Sequence, residues 1–334
     1  MSDKEHVFQA LLRACEQGGA VLVTLIGVSG STPREAGACM AVDARGRCAG
    51  TIGGGLLEHE ACGSARAHLL EKKSGTTHFD LSTAGDGMIC GGDAQVLHTY
   101  LPPTEDTLRV IGLAVASLET HTPGKLILPL TGGAGFMNAQ GEVTGLPGPL
   151  PEGIAAVSGL AATEDAPFFV LPLGDAGVVH IIGGGHLAEA LAYLLPWLGF
   201  AYDVTDDRAQ YADPQRFPDA ENVRRLPYTE LADIDVSPQD CIVIVTDGHK
   251  GDYEAEKWAL RTPAAYIGVV GSSRKTAYVN DLLKKHGFTE ADLARVAAPI
   301  GIPIGSDTPA EIAVSIAAQL VQHRSQQRSR QKLQ

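Results

Sequence analysis

The sequence predicts an α/β protein with a C-terminal Rossmann-like parallel sheet behind a mixed α/β N-terminal domain. Three observations carry this reading. Near-continuous apolar runs at residues 178–182, 201–205, 241–246 and 265–270 alternate with helical segments, the pattern of buried parallel strands. The first run leads into Gly183-Gly184-Gly185-His186-Leu187-Ala188, a G-x-G-x-x-A turn between strand and helix. The second ends at Asp206, roughly 20 residues beyond the first glycine, where such folds place a ribose-binding acid.

At 334 residues the chain is long enough for about two domains. We place the first at 1–174, with 103–174 its least regular part, the second at 175–323, and a polar tail at 324–334. With 44% hydrophobic and 19% charged residues the chain can bury substantial cores, which excludes wholesale disorder. A net charge of −13, with basic residues clustered only in the tail, argues against nucleic acid as a partner. The N-terminus lacks a secretory pattern and no stretch of 18 apolar residues follows, so we expect a cytoplasmic chain with no membrane partner. Six cysteines without a CxxC pair point to reduced thiols and away from a zinc knuckle.

Along the first domain, Val7, Leu11, Leu12 and Cys15 stand at helical spacing in 4–17, and a strand follows over Val21–Val28. Cys39–Asp43 and Cys48–Ile52 flank a hairpin turn, Ala44-Arg45-Gly46-Arg47. Gly53-Gly54-Gly55 then opens a helix from about Leu56 to Lys73. Strands at 76–81 and 94–101 enclose a glycine-rich loop over 82–92 that contains Cys90. Apolar stretches at 108–116, 126–130 and 168–173 read as further strands. In the second domain the closing helix starts at Thr308-Pro309-Ala310-Glu311, a capping box with Pro at the first helical position.

Several groups can carry chemistry, each with a plainer alternative. Gly183, Gly185, His186 and Asp206 suit a pyrophosphate at a helix N-terminus and a ribose hydroxyl, or they only permit close helix–strand packing. Gly271-Ser272-Ser273-Arg274-Lys275 offers hydroxyls and cations to a phosphate, or is a solvated helix start. His249 between Asp247 and Asp252 reads as a hydrogen-bonded loop histidine in preference to a metal ligand, because a second histidine at ligand spacing is missing. Gly53-Gly54-Gly55 before Glu58 is an anion cradle or a structural turn. Cys90 is a nucleophile, a sulfur carrier, a soft-metal ligand or an incidental thiol. The other five cysteines read as small core hydrophobes.

These segments together resemble the XdhC/CoxI-type accessory proteins of xanthine dehydrogenase and carbon monoxide dehydrogenase. The likeness runs through Gly30-Ser31-Thr32-Pro33-Arg34, Gly50-Thr51-Ile52-Gly53-Gly54-Gly55 with Glu58, Cys90-Gly91-Gly92, the turn at 183–186, Asp206-Asp207-Arg208, the loop at 266–275 and Thr308–Ile316. It departs at Asp247-Gly248-His249, Gly-Ser-Ser-Arg-Lys and Gly301-Ile302-Pro303-Ile304-Gly305. The resemblance implies a maturation factor, more a chaperone than an enzyme and without catalytic residues. Such a factor binds molybdenum cofactor (molybdopterin or its dinucleotide form), supports its sulfuration and inserts it into an apo-molybdenum hydroxylase of xanthine dehydrogenase type. A cysteine desulfurase and a second copy of the chain are the further partners implied. Carried over residue by residue, Cys90, Gly91, Gly92, Arg34, Gly53, Gly54, Gly55, Glu58, Gly183, Gly185, His186, Asp206, Ser272, Arg274 and Lys275 are the cofactor-binding candidates, with Cys90 also a metal ligand. The competing class is an NAD(P)-dependent oxidoreductase, since the glycine turn and Asp206 suffice for a dinucleotide such as NAD.

Overall fold

The computed structural model describes residues 3–30, 34–81, 92–146, 159–162, 167–173 and 177–331. The chain divides into two compact units, 3–175 and 176–334.

The N-terminal unit is built on two antiparallel sheets. Helix α1 (Asp3–Gln17) buries Val7, Phe8, Leu11, Ala14 and Cys15 along one stripe. It leads into β1 (Ala20–Gly30), which pairs with β2 (Cys39–Asp43) on one side and β5 (Gly92–Leu101) on the other. With β3 (Gly46–Gly50) and β4 (Gly75–Asp80) the order is β3-β2-β1-β5-β4. Strand alternation divides β1 between two cores. Ala20, Leu22 and Ile26 face α1 and α3, whereas Val21, Val23 and Leu25 face Leu57, Ala61 and Ala65 of α2 (Gly55–Glu71). A strand covered on both faces reads as one apolar run, as this one does.

Residues 108–116, expected as a strand, lie instead within helix α3 (Glu105–Glu119). Thr104 caps the helix by accepting from Thr107 N–H at 3.3 Å, Glu105 and Asp106 occupy the first turn, and Val110, Ile111, Ala114, Val115 and Leu118 recur at helical spacing. Period and cap override the local β-propensity of the valines and isoleucine. The strands beyond form a separate sheet, ordered β8-β7-β6-β10-β9: β6 (Gly124–Pro129), β7 (Gly135–Met137), β8 (Val143–Thr144), β9 (Gly159–Ala162) and β10 (Pro167–Leu173).

In the C-terminal unit six parallel strands take the order β13-β12-β11-β14-β15-β16. They are β11 (Val179–Ile182), β12 (Tyr202–Asp206), β13 (Asn222–Arg225), β14 (Cys241–Ile244), β15 (Tyr266–Val269) and β16 (Val296–Ala297). This is the doubly wound dinucleotide-fold order. Helices α4 (His186–Leu194) and α8 (Pro309–Gln331) cover one face through Ala188, Leu191, Ala313 and Ile316. Helices α5 (His249–Ala259) and α6 (Ser273–Lys285) cover the other through Ala255, Ala259, Val279 and Leu283. A short α7 (Glu290–Leu293) precedes β16. Between the runs at 201–205 and 241–246 the expected helical segment is replaced by consecutive turns, which the proline and aspartates of Asp213-Pro214 and Pro218-Asp219 favour, and by the unexpected strand β13. The capping box at α8 is present: Glu311 N–H donates to Thr308 Oγ1 at 3.3 Å and Thr308 N–H to Glu311 Oε2 at 2.9 Å.

One polar group sits at the heart of this sheet. His180 is 3% exposed, with Nε2 3.2 Å from Asp240 Oδ2 and Nδ1 3.5 Å from Asp203 Oδ2. Burial alone would drive its pKa down, but the two carboxylates outweigh burial and raise it.

Candidate functional site

In a sheet of this order the ligand crevice lies at the carboxyl edge, where the chain leaves β11 and β14 toward opposite faces. The three glycines leaving β11 have separate duties. Gly183 has φ +107°, and a Cβ there would lie 2.7 Å from the Val245 carbonyl; at Gly184 it would collide with the Tyr211 carbonyl. Both are therefore set by packing, Gly183 by its left-handed backbone as well. At Gly185 a Cβ would meet nothing within 4 Å, and this residue caps α4 without a side-chain hydrogen bond. The open N–H end of α4, beginning at the exposed His186, is thus the part of the turn suited to an anion.

Asp206 stands at the end of β12 as expected, but its carboxylate is fully buried and already engaged. Oδ2 accepts from Gly184 N–H at 2.7 Å and Arg208 Nη2 at 2.9 Å; Oδ1 accepts from Arg208 N–H and Nε, both at 2.9 Å. Burial would raise its pKa, yet Arg208 and the two N–H groups hold it below the usual carboxylate range. With four acceptor positions filled, Asp206 shapes the glycine turn, and a ribose hydroxyl would have to displace Arg208. That guanidinium also reaches Asp247 beyond β14, Nη1 to Oδ2 at 2.5 Å, and lies over the Tyr211 ring at 4.0 Å.

At the next strand exits, Ser272 caps α6 by accepting from Lys275 N–H at 3.3 Å. Lys275 turns inward and pairs with Asp252, which is fully buried and accepts from Thr246 Oγ1 at 2.6 Å. Of this loop's two cations, Arg274 alone is exposed. One turn beyond Asp252 on α5, Glu256 is 3% exposed; burial, then the neighbouring Asp252, push its carboxyl up to about 7 against the pull of Lys275. The sequence reading misses this pair, although charged residues at 252 and 256, in step with the buried Ala255 and Ala259, break the apolar stripe of α5. His249, the first residue of α5, lies against the Tyr278 ring at 5.6 Å.

In the N-terminal unit Gly53, Gly54 and Gly55 all have positive φ (+135°, +75° and +61°) ahead of α2. The cradle they form holds the chain's own carboxylate. Glu58 Oε2 accepts from Ile52 N–H at 3.2 Å, Gly54 N–H at 3.1 Å and the Thr51 hydroxyl, while Oε1 lies 3.1 Å from Arg47 Nη1. Burial works against the charge, but these donors lower its pKa. Glu58 thus orders the loop from within.

Arg34 pairs with Asp3 at 3.4 Å, and Gly92 opens β5 as a buried residue opposite Gly30. Cys90 and Gly91, with the rest of 82–91, lie outside the described residues. Of the five cysteines expected in cores, Cys15, Cys39 and Cys241 are buried; Cys62 is half-buried and Cys48 exposed. Cys48 departs because β3 begins at Gly46, two residues before the expected start, and as an edge strand leaves its outer face bare. Among the described residues no group of three or more His, Cys, Asp or Glu is disposed to hold a metal. No helix among them is long and apolar enough to cross a membrane.

The strand order and glycine turn define a two-unit α/β protein with a Rossmann-type C-terminal domain. Residues 179–320 match the XdhC Rossmann domain and residues 14–80 match the XdhC and CoxI family, to which the chain belongs. It is 26% identical over 288 residues to a probable xanthine dehydrogenase subunit of Bacillus subtilis, covering 83% of this chain and 86% of that protein. It is 29% identical over 123 residues to the uncharacterized protein YqeB of Escherichia coli, spanning 36% of this chain and 22% of YqeB. The crystal structure of a xanthine dehydrogenase from Bacillus halodurans shares the fold, with a TM-score of 0.80, 24% identity and coverage of 98% of this chain and 96% of that one.

Proposed function

We propose that the protein is an accessory factor that binds molybdenum cofactor, as molybdopterin or its dinucleotide, supports its sulfuration and inserts it into a xanthine dehydrogenase-type molybdenum hydroxylase. The observation that carries this reading is that both units match one family, in order along the chain. The residues fit a phosphate-bearing cofactor at one place in particular: the uncapped N-terminus of α4, where Gly185 leaves space. Exposed Arg274 adds a cation at the same sheet edge. Gly53 and Gly54 fit less directly, because their loop is closed on Glu58. When bound, the cofactor supplies the molybdenum and terminal sulfur that the client needs; this chain's residues hold and release it. In this reading Cys90, with Gly91 and Gly92, meets the molybdenum end, a cysteine desulfurase provides the sulfur, the protein works as a homodimer, and the setting is cytoplasmic.

The test is direct. Protein incubated with molybdenum cofactor and desalted should retain molybdenum and pterin absorbance, and should activate an apo-hydroxylase; Cys90→Ser should lose both while remaining folded. Failure of the unsubstituted protein to retain cofactor, together with saturable quenching of NADH fluorescence, would favour the oxidoreductase reading. The filled carboxylate of Asp206 weighs against that outcome.

A further inference from the structure

A cavity of about 410 Å³ opens between α1 and the β2–β3 hairpin, within the N-terminal unit. Arg13 lines it from the helix, and Asp43, Arg45, Arg47 and Cys48 line it from the hairpin. Its volume falls within the range of small-molecule sites. Three guanidinium groups against one carboxylate is an unexpected lining in a chain of net charge −13.

We propose that this cavity binds a phosphate-bearing small molecule. Two of its three cations are oriented in advance by the hairpin. Asp43 holds Arg45 through Nε at 3.1 Å and Nη2 at 2.8 Å, leaving Nη1 without a partner among the described residues. Arg47 uses Nη1 for the Gly50 carbonyl at 2.8 Å and Glu58 at 3.1 Å, leaving Nε and Nη2 without partners among the described residues. Arg13 is exposed and makes no ion pair among them. Planar guanidinium forks match phosphate oxygens two at a time, and a side chain already held at one end loses less freedom on binding. The opposite wall is low, since Ala10 and Ala14 replace long side chains on the α1 face.

The Cys48 thiol does no chemistry here. Although the residue is exposed, partial desolvation of the thiol in the cavity wall and then the Asp43 charge push its pKa up to about 11, so at neutral pH it keeps its proton. It stands in the cavity wall, however, and so reports occupancy.

The site is tested with inorganic pyrophosphate, titrated calorimetrically into the full chain at constant ionic strength. We expect saturable binding that Arg13→Ala and Arg47→Ala each weaken by roughly tenfold, the loss of one charge-assisted contact. Arg13 has no ion partner to lose, so its variant should melt with the unsubstituted protein. In parallel, Cys48 is alkylated at pH 9 and followed by peptide mass spectrometry. Pyrophosphate should slow its modification in the unsubstituted protein but not in the Arg13→Ala, Arg47→Ala double variant. Any of three results overturns the proposal: no saturable heat of pyrophosphate binding, no protection at the highest pyrophosphate concentration, or equal protection by sodium chloride of the same ionic strength.

Discussion

Arg208 and Asp247 meet across the exit of β11, Nη1 to Oδ2 at 2.5 Å, so that an ion pair spans the mouth of the crevice above the glycine turn. The guanidinium is anchored below on Asp206, which leaves the Asp247 end as the part that can open.

Asp247→Asn should therefore raise affinity for a phosphate probe such as ADP, because Arg208 loses its competing carboxylate. Asp247 is 74% exposed, so the pair contributes at most about 1 kcal/mol and the fold should be unaffected. Calorimetric titration of ADP checks this; an unchanged dissociation constant would mean that the bridge does not guard the crevice.

The glycine turn separates packing from binding. Gly185→Val should fold normally, since its Cβ enters open space, yet lose ligand at the α4 N-terminus. Gly184→Ala should instead destabilise the C-terminal unit by about 1–3 kcal/mol through the clash at Tyr211. Thermal melts alongside binding titrations distinguish the two.

His180 gives the C-terminal unit a defined response to pH. Its folded pKa is raised, so its contribution is complete below the unfolded value of about 6.5 and is lost as pH rises through the folded one. Asp203 is held at about 2, so its contribution is complete above the unfolded value near 4 and lost as pH falls toward 2. Urea unfolding across pH 3–9 should show greatest stability between these limits. His180→Leu, which removes the cation shared by Asp203 and Asp240 and leaves Asp203 with Arg224 alone, should cost about 3–5 kcal/mol at pH 6 and remove the decline above pH 7.

Glu256 works in the opposite sense from an ordinary carboxylate. Because its folded pKa is about 7 against about 4.3 in the unfolded chain, the native state loses stability as pH rises from about 4 to 7 and carries a constant penalty above that. Glu256→Gln should stabilise the protein by about 1–3 kcal/mol at pH 9, and the gain should vanish below about pH 4. A constant difference across that range would show that Glu256 is ionised throughout, shared between Lys275 and solvent.

The sequence made four of the six parallel strands and the α8 cap legible because each depends on local pattern: apolar runs of strand length, glycines at a strand exit, and Thr308 spaced for Glu311; β13 and β16, short edge strands without such runs, were not legible. It made α3 illegible because Val110, Ile111 and Val115 favour strands on their own, and only their spacing with the Thr104 cap reverses that preference. The candidate site was legible as positions but not as partners. Glu58 and Asp206 both read as ligand-facing acids, yet each carboxylate is bound by its own loop. Lys275 reads as facing a phosphate, and the opposite charge that turns it inward is 23 residues away on another helix. Such pairings are set by tertiary geometry, which no spacing along the chain encodes.

The position of β1 also bears on how the chain leaves the ribosome. Its eleven residues need β2 on one side and β5 on the other, and β5 is not complete until Leu101 has emerged. Until then the nascent chain presents β1 with one bare hydrogen-bonding edge and two apolar faces, a surface open to strand addition by any neighbouring chain. Translation pauses or nonsense mutations before residue 101 would hold the protein in that state, making the early N-terminal fragment the species most in need of a holdase. A full-length chain closes the edge and escapes it.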